Sequence, residues 1–220
     1  MIIQANVLRQ EDLLAIREGL SSAAFRDGRA TAGAAAGRVK DNAQARGNDP
    51  GVIALARRVR LALEAHPVVR SWVRPVRWSQ PMFARYGPGQ HYGAHTDAAF
   101  VYNESGRPVR TDISFTLFLS DPGAYDGGEL LISDPAGDRQ FRPAAGSAIF
   151  YTTGQLHSVT PVTRGERLVC VGWVQSLIRR SDQRELLNDL EQVRDEMESG
   201  HGSLLMDKAI GNLLRMWGED

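Results

Sequence analysis

The sequence predicts a mainly β core of the sandwich or jelly-roll kind, with helices before and after it. Three observations carry this. Short apolar runs, DISFTLFLS (112–120), GELLIS (128–133), SAIFY (147–151) and RLVCVGWVQS (167–176), are rich in β-branched and aromatic residues. Turn residues separate them: Asp121-Pro122-Gly123, Asp126-Gly127-Gly128, Asp134-Pro135 and Ala145-Gly146. On either side of this stretch the apolar spacing switches to a helical period.

In chain order, Leu13, Leu14, Ile16, Leu20 and Ala24 form a helical stripe over 11–25, broken by Asp27-Gly28-Arg29. The small-residue segment 31–44, TAGAAAGRVKDNAQ, fits no single element. Asp49-Pro50 reads as an N-cap followed by proline in the first turn, starting a helix over about 50–65 that His66-Pro67 ends. From Trp72 to Tyr86 the chain reads as extended, with breaks at Pro75 and Pro81. Gly127-Gly128 reads as a β-turn. Ser181 is expected to cap a helix running to about Glu198, and Ser203–Trp217 to form a last one. These readings divide the chain into helical support (1–70), a β core (71–178) and a C-terminal helical segment (179–220).

Composition narrows the function classes. With 26 basic and 26 acidic residues the chain has no electrostatic footprint for nucleic acid. One cysteine, Cys170, excludes an internal disulfide and a cysteine-based zinc site, and fits a reducing cytoplasm. The opening MIIQANVLRQEDL lacks a basic stretch followed by a long apolar core, so neither a signal peptide nor a membrane span is expected. The C-terminal stripe Leu204, Leu205, Ile210, Leu213, Leu214, Met216 and Trp217 suits a homodimer contact, although such stripes are more often intramolecular core.

The chemistry centres on HYGAHTD, residues 91–97. Positions i and i+2 of an extended segment face one side, so His95 and Asp97 can offer a nitrogen and an oxygen to one cation. Two histidines and a carboxylate on one face is the usual set of non-haem Fe(II) oxygenases, and it needs a second histidine from elsewhere. His66 and His201 look peripheral. His91 has suitable spacing, but Gly93 interrupts regular extension and a structural role fits it better. His157, at the start of a strand, is well placed to close the set. Ten residues on, Arg167 opens the next strand and falls on the side of Val169, Val171, Trp173 and Gln175. An arginine on an apolar face is costly unless an anion pairs with it, and its fork suits a carboxylate.

RYGPGQHYGAHTD (85–97), YDGGELLI (125–132) and LHSVTPVTRGERLVCVGWVQS (156–176) together resemble the bacterial PKHD-type (PiuC-like) hydroxylases. These lie in the prolyl-4-hydroxylase-like branch of the Fe(II)/2-oxoglutarate-dependent dioxygenases. The resemblance extends over most of the chain. It implies a double-stranded β-helix (jelly roll) fold, Fe(II) at His95, Asp97 and His157, and Arg167 on the distal carboxylate of 2-oxoglutarate. It also implies Tyr86 at the cosubstrate pocket, O2 as the other cosubstrate and L-ascorbate as reductant. Trp173 would line the same pocket, although aromatic burial alone explains it equally well. The hydroxylated substrate is open between peptidyl proline or lysine and a small molecule of iron uptake. Segment 31–44 would border the site, with Arg38, Lys40, Asn42 and Gln44 as candidate contacts. A non-enzymatic iron or 2-oxoglutarate sensor on the same fold is the alternative. A zinc hydrolase would have no use for Arg167.

Overall fold

The computed structural model describes residues 2–219. Met1 and Asp220, the outer bounds of the two flanks, lie outside the described residues. Two antiparallel sheets face each other, and a layer of helices covers the back of the larger one. The large sheet runs Ile2–Asn6, Ser147–Thr152, Ile113–Phe118, Arg167–Ser176, Met82–Tyr86, Ala43–Ala45, Phe25–Asp27. Pro75–Trp78 pairs with the far end of Arg167–Ser176. The small sheet runs Arg139–Phe141, Leu130–Ile132, His157–Val159, His91–His95, Lys40–Asp41.

Strand period 2 explains the layering. Ile113, Phe115 and Leu117 point into the core beneath the helices, with Ala148, Phe150, Phe83, Cys170 and Val174 from neighbouring strands. There they meet Leu13, Ile16 and Leu20 of helix Gln10–Ser21 and Val52, Ala56, Val59 and Leu63 of helix Pro50–Ala65. The alternate residues Phe118, Ile149, Tyr151, Val169, Ala84 and Tyr86 fill the space between the sheets, against Leu130, Ile132 and Val159. Cys170 belongs to the helix-side core, fully buried, and burial pushes its thiol well up from its ordinary value.

Helix Pro50–Ala65 starts as expected: the Asp49 carboxylate accepts from the Gly51 and Val52 amides, and Pro50 occupies the first turn. Other elements differ from the sequence reading. The first helix stops at Ser21, and Phe25–Asp27 is already a strand. The first seventy residues thus supply four strands as well as helices. Val69–Val73 winds into a helical turn closed by Arg74 at φ 50°, so extension begins only at Pro75. Arg180 holds the N-cap position of helix Ser181–Glu196, with no side-chain cap; Ser181 is inside the helix. The final helix is His201–Trp217, and the Ser203 hydroxyl accepts from the Gly200 amide. Ile210, Leu213, Leu214 and Trp217 pack inward against Ile178 and Leu187, while Leu204, Leu205 and Met216 are exposed. Among the described residues no helix is long and apolar enough to cross a membrane.

Candidate active site

The two sheets diverge around a cleft of about 730 Å3. His95 ends its small-sheet strand and His157 begins the neighbouring one, and the two are register partners across the ladder. A residue pair separated by 62 positions in sequence is thereby side by side. Asp97, two residues beyond His95, completes the group: one ligand atom from each of the three lies within 4.8 Å of the others. His157 Nε2 is 3.6 Å and His95 Nε2 3.9 Å from the Asp97 carboxylate.

Backbone carbonyls fix both rings. His95 Nδ1 lies 2.8 Å from the Gly93 carbonyl, and His157 Nδ1 lies 3.0 Å from that of Gln155. Each Nδ1–H therefore donates to a carbonyl two residues back and leaves Nε2 as a lone-pair donor toward the centre. Burial, then the neighbouring His157, pushes the His95 imidazole down to about 4, so it is neutral and ready to ligate near pH 7. The Ser114 hydroxyl donates to Asp97 Oδ2 at 2.8 Å and lies 3.0 Å from the Thr153 hydroxyl. Tyr92 stacks on His95 with 3.6 Å between ring centres, and Tyr151 meets His157 edge-on at 5.0 Å. Two imidazoles and one carboxylate, oriented from behind and open toward a cleft, form a donor set that fits Fe(II).

Arg167 lines the same cleft, 1% exposed. It is the register partner of Tyr86, and its guanidinium lies 5.0 Å from the Tyr86 ring centre and 5.2 Å from that of Phe118. The neutral phenols Tyr86, Tyr125 and Tyr151 surround it, Tyr125 within side-chain hydrogen-bonding reach, and among the described residues it has no ion pair and its Nε no hydrogen-bond partner. A buried guanidinium without a counter-charge fits the carboxylate of a bound acid. Trp173 also lines the cleft, and its buried Nε1–H has no partner. Of the other candidates, Lys40, Asn42 and Gln44 line the cleft. His91 is outside the cluster, with Nδ1 3.3 Å from the Gly89 carbonyl.

The comparisons with known proteins agree with this arrangement. Residues 81–175 match the model of the 2OG-Fe(II) oxygenase superfamily. A PKHD-type hydroxylase of Maricaulis maris is 45% identical over 209 residues, covering 93% of each chain. One from Nitrosomonas europaea is 41% identical over 97% of each. The chain belongs to the PKHD-type hydroxylases. It is accordingly an iron- and 2-oxoglutarate-dependent dioxygenase. Solved structures share the fold at low identity. A Pseudomonas putida prolyl-4-hydroxylase has TM-score 0.53 at 22% identity, over 80% of this chain and 92% of that one. A Trichoplax adhaerens prolyl hydroxylase solved with a peptide fragment has TM-score 0.60 at 14% identity, over 84% and 86%.

In this PKHD-type hydroxylase four supporting residues escaped the sequence reading: Ser114, Tyr92, Tyr151 and Tyr125. A signal for Ser114 exists. In ISFTLF, Ser114 and Thr116 interrupt an apolar strand at period 2, so one face is polar where a core would be apolar. Tyr125 is fully buried, with its phenol beside Arg167. Gly127 and Gly128, expected to be a plain turn, have φ of 71° and 67° around a bulge. At Gly128 an added Cβ would sit 2.9 Å from Arg167 Cδ, so the glycine makes room for the arginine.

Proposed function

We propose that His95, Asp97 and His157 would hold Fe(II), and that Arg167, with Tyr86 beside it, binds the distal carboxylate of 2-oxoglutarate. One observation carries this reading: a buried guanidinium with no counter-charge among the described residues shares a cleft with three converging metal-ligand atoms. Iron bound there supplies the redox chemistry by which O2, 2-oxoglutarate and a substrate C–H give succinate, CO2 and a hydroxylated product.

The chain's own groups then have distinct tasks. The carbonyls of Gly93 and Gln155 hold the imidazoles in one tautomer. Ser114 fixes the orientation of the Asp97 carboxylate. Arg167 aligns the cosubstrate, and Trp173, Val171 and Met82 exclude water from the wall. Residues 71–178 are the oxygenase core in this reading, with 179–220 as flanking support and 1–70 adding edge strands to both sheets as well as helices. L-ascorbate serves as reductant for the iron, and the cytoplasm, reducing enough for a lone thiol, is the site of action. The substrate is a peptidyl proline or lysine, or a small molecule of iron homeostasis.

The test is succinate release from 2-oxoglutarate with Fe(II) and O2. The wild type forms succinate, and His157→Ala falls to background while keeping its cooperative melt. Wild-type turnover by His157→Ala would show the ligand assignment to be wrong.

A further inference from the structure

The cosubstrate accounts for Arg167 and leaves a second buried cation in the cleft without a task. Lys40, Asn42 and Gln44 are 6%, 3% and 2% exposed, and all three line the cleft that holds the triad. They alternate along a segment that crosses between the sheets. Lys40–Asp41 pairs with His91–His95 at the edge of the small sheet, and Ala43–Ala45 pairs with Met82–Tyr86 in the large one. Positions this buried are ordinarily apolar, and three polar ones in alternation make a polar strip along one wall.

The partners of Lys40 are incomplete. Lys40 Nζ donates to Thr31 Oγ1 at 3.1 Å and lies 5.1 Å from the centre of the Tyr92 ring. Among the described residues no carboxylate stands within ion-pair reach of it; Asp97 and Asp27 act on it only at longer range. The Asn42 amide is sealed from the cleft: its Oδ1 packs against Gly28 and its side chain lies beside the Tyr86 hydroxyl. An uncompensated ammonium weakens the fold, so packing gives no reason for it. A ligand does. The ammonium takes an anion, and a carboxylate matches it with a charge-assisted hydrogen bond. The place is right for a substrate, because the Tyr92 ring that Lys40 overlies stacks on His95.

We propose that Lys40 binds the primary substrate, and that this substrate is a small acid whose carboxylate pairs with Lys40. This rests on the reading of Arg167 as the 2-oxoglutarate anchor. It favours a free acid over a residue within a polypeptide, whose backbone offers amides but no carboxylate. Gln44, in contact with Thr31 through its Oε1, closes the end of the strip.

The full chain loaded with Mn(II) and 2-oxoglutarate, without oxygen, is titrated calorimetrically with a panel of N-acetyl amino acids and their neutral N-methylamides. At least one acid binds, and its methylamide binds about tenfold more weakly or worse. Lys40→Met weakens that acid by at least about tenfold, and Lys40→Arg restores most of the affinity. Thermal melts confirm that each variant folds, with Lys40→Gln replacing any Lys40→Met that does not. The proposal is overturned if no acid binds, if acid and methylamide bind equally, or if folded Lys40→Met or Lys40→Gln binds the acid as the wild type does. A separate titration of 2-oxoglutarate into the Mn(II)-loaded wild type isolates the underlying reading, since its failure there would remove the Arg167 anchor and not the Lys40 contact alone.

Discussion

Gly128→Ala probes the cosubstrate anchor through a residue that touches no ligand. The alanine Cβ would lie 2.9 Å from both Arg167 Cδ and Val162 Cγ2, and 3.2 Å from Tyr125 Cε2. Its backbone, at φ 67°, is left-handed, which costs an L-residue roughly 1–2 kcal/mol. Overpacking adds about 1–3 kcal/mol. The sum of about 2–5 kcal/mol is shared between lost stability and a displaced Arg167. Each 1.4 kcal/mol that falls on the arginine weakens 2-oxoglutarate by roughly tenfold. A 10- to 100-fold rise in Kd is expected, at roughly 1.4–2.8 kcal/mol, together with a lower Tm. Anaerobic calorimetry of 2-oxoglutarate binding to Mn(II)-loaded protein reads the first and a thermal melt the second. Gly89→Ala is the control: φ is 85°, and nothing lies within 4 Å of the added Cβ. It should lose about 1–2 kcal/mol of stability and leave the Kd alone. Wild-type affinity in Gly128→Ala, with a lowered Tm, would refute the argument that Arg167 is the anchor wedged against this glycine.

Two further outcomes follow from the same geometry. Ser114→Ala removes the hydroxyl that fixes Asp97, and metal affinity measured by competition with a chelator should fall by about 10- to 100-fold with the fold retained. Metal-free protein should lose stability as pH falls from about 6.5 to about 4, because the unfolded chain protonates His95 before the folded one does. The loss approaches about 3 kcal/mol below pH 4, is absent above the unfolded-state value, and should shrink in His95→Asn when urea melts are compared across that window.

The sequence was most informative where chemistry is unusual for its place. An arginine opening an apolar strand and an HxD on an extended segment stand out against their surroundings, and His157 followed from the number of ligands required. What escaped was set by pairing at a distance. Tyr125 and Tyr151 look like ordinary aromatic strand residues, and only the ladder shows which of two faces each takes. Ile2–Asn6 and Ala43–Ala45 are too short to announce themselves; each is extended because a distant strand offers it hydrogen bonds. The turn Val69–Val73 is helical although its residues favour strands, because Val69 and Val73 bury against the helix-side core. Ser181 failed as a cap because Arg180, one residue earlier, already has the extended backbone of the N-cap position.

The lone thiol has a consequence for handling this protein. Cys170 is on the helix side of the large sheet, paired with Leu117 and Phe83 and sealed from the cleft by the sheet itself. With its proton held tightly by burial, it is a poor target for alkylating reagents and for oxidants escaping from the iron. The natural chain is therefore a silent background for labelling. A cysteine placed at the exposed Tyr102, on the rim of the cleft, would react alone, and a probe attached there would watch the entrance during turnover.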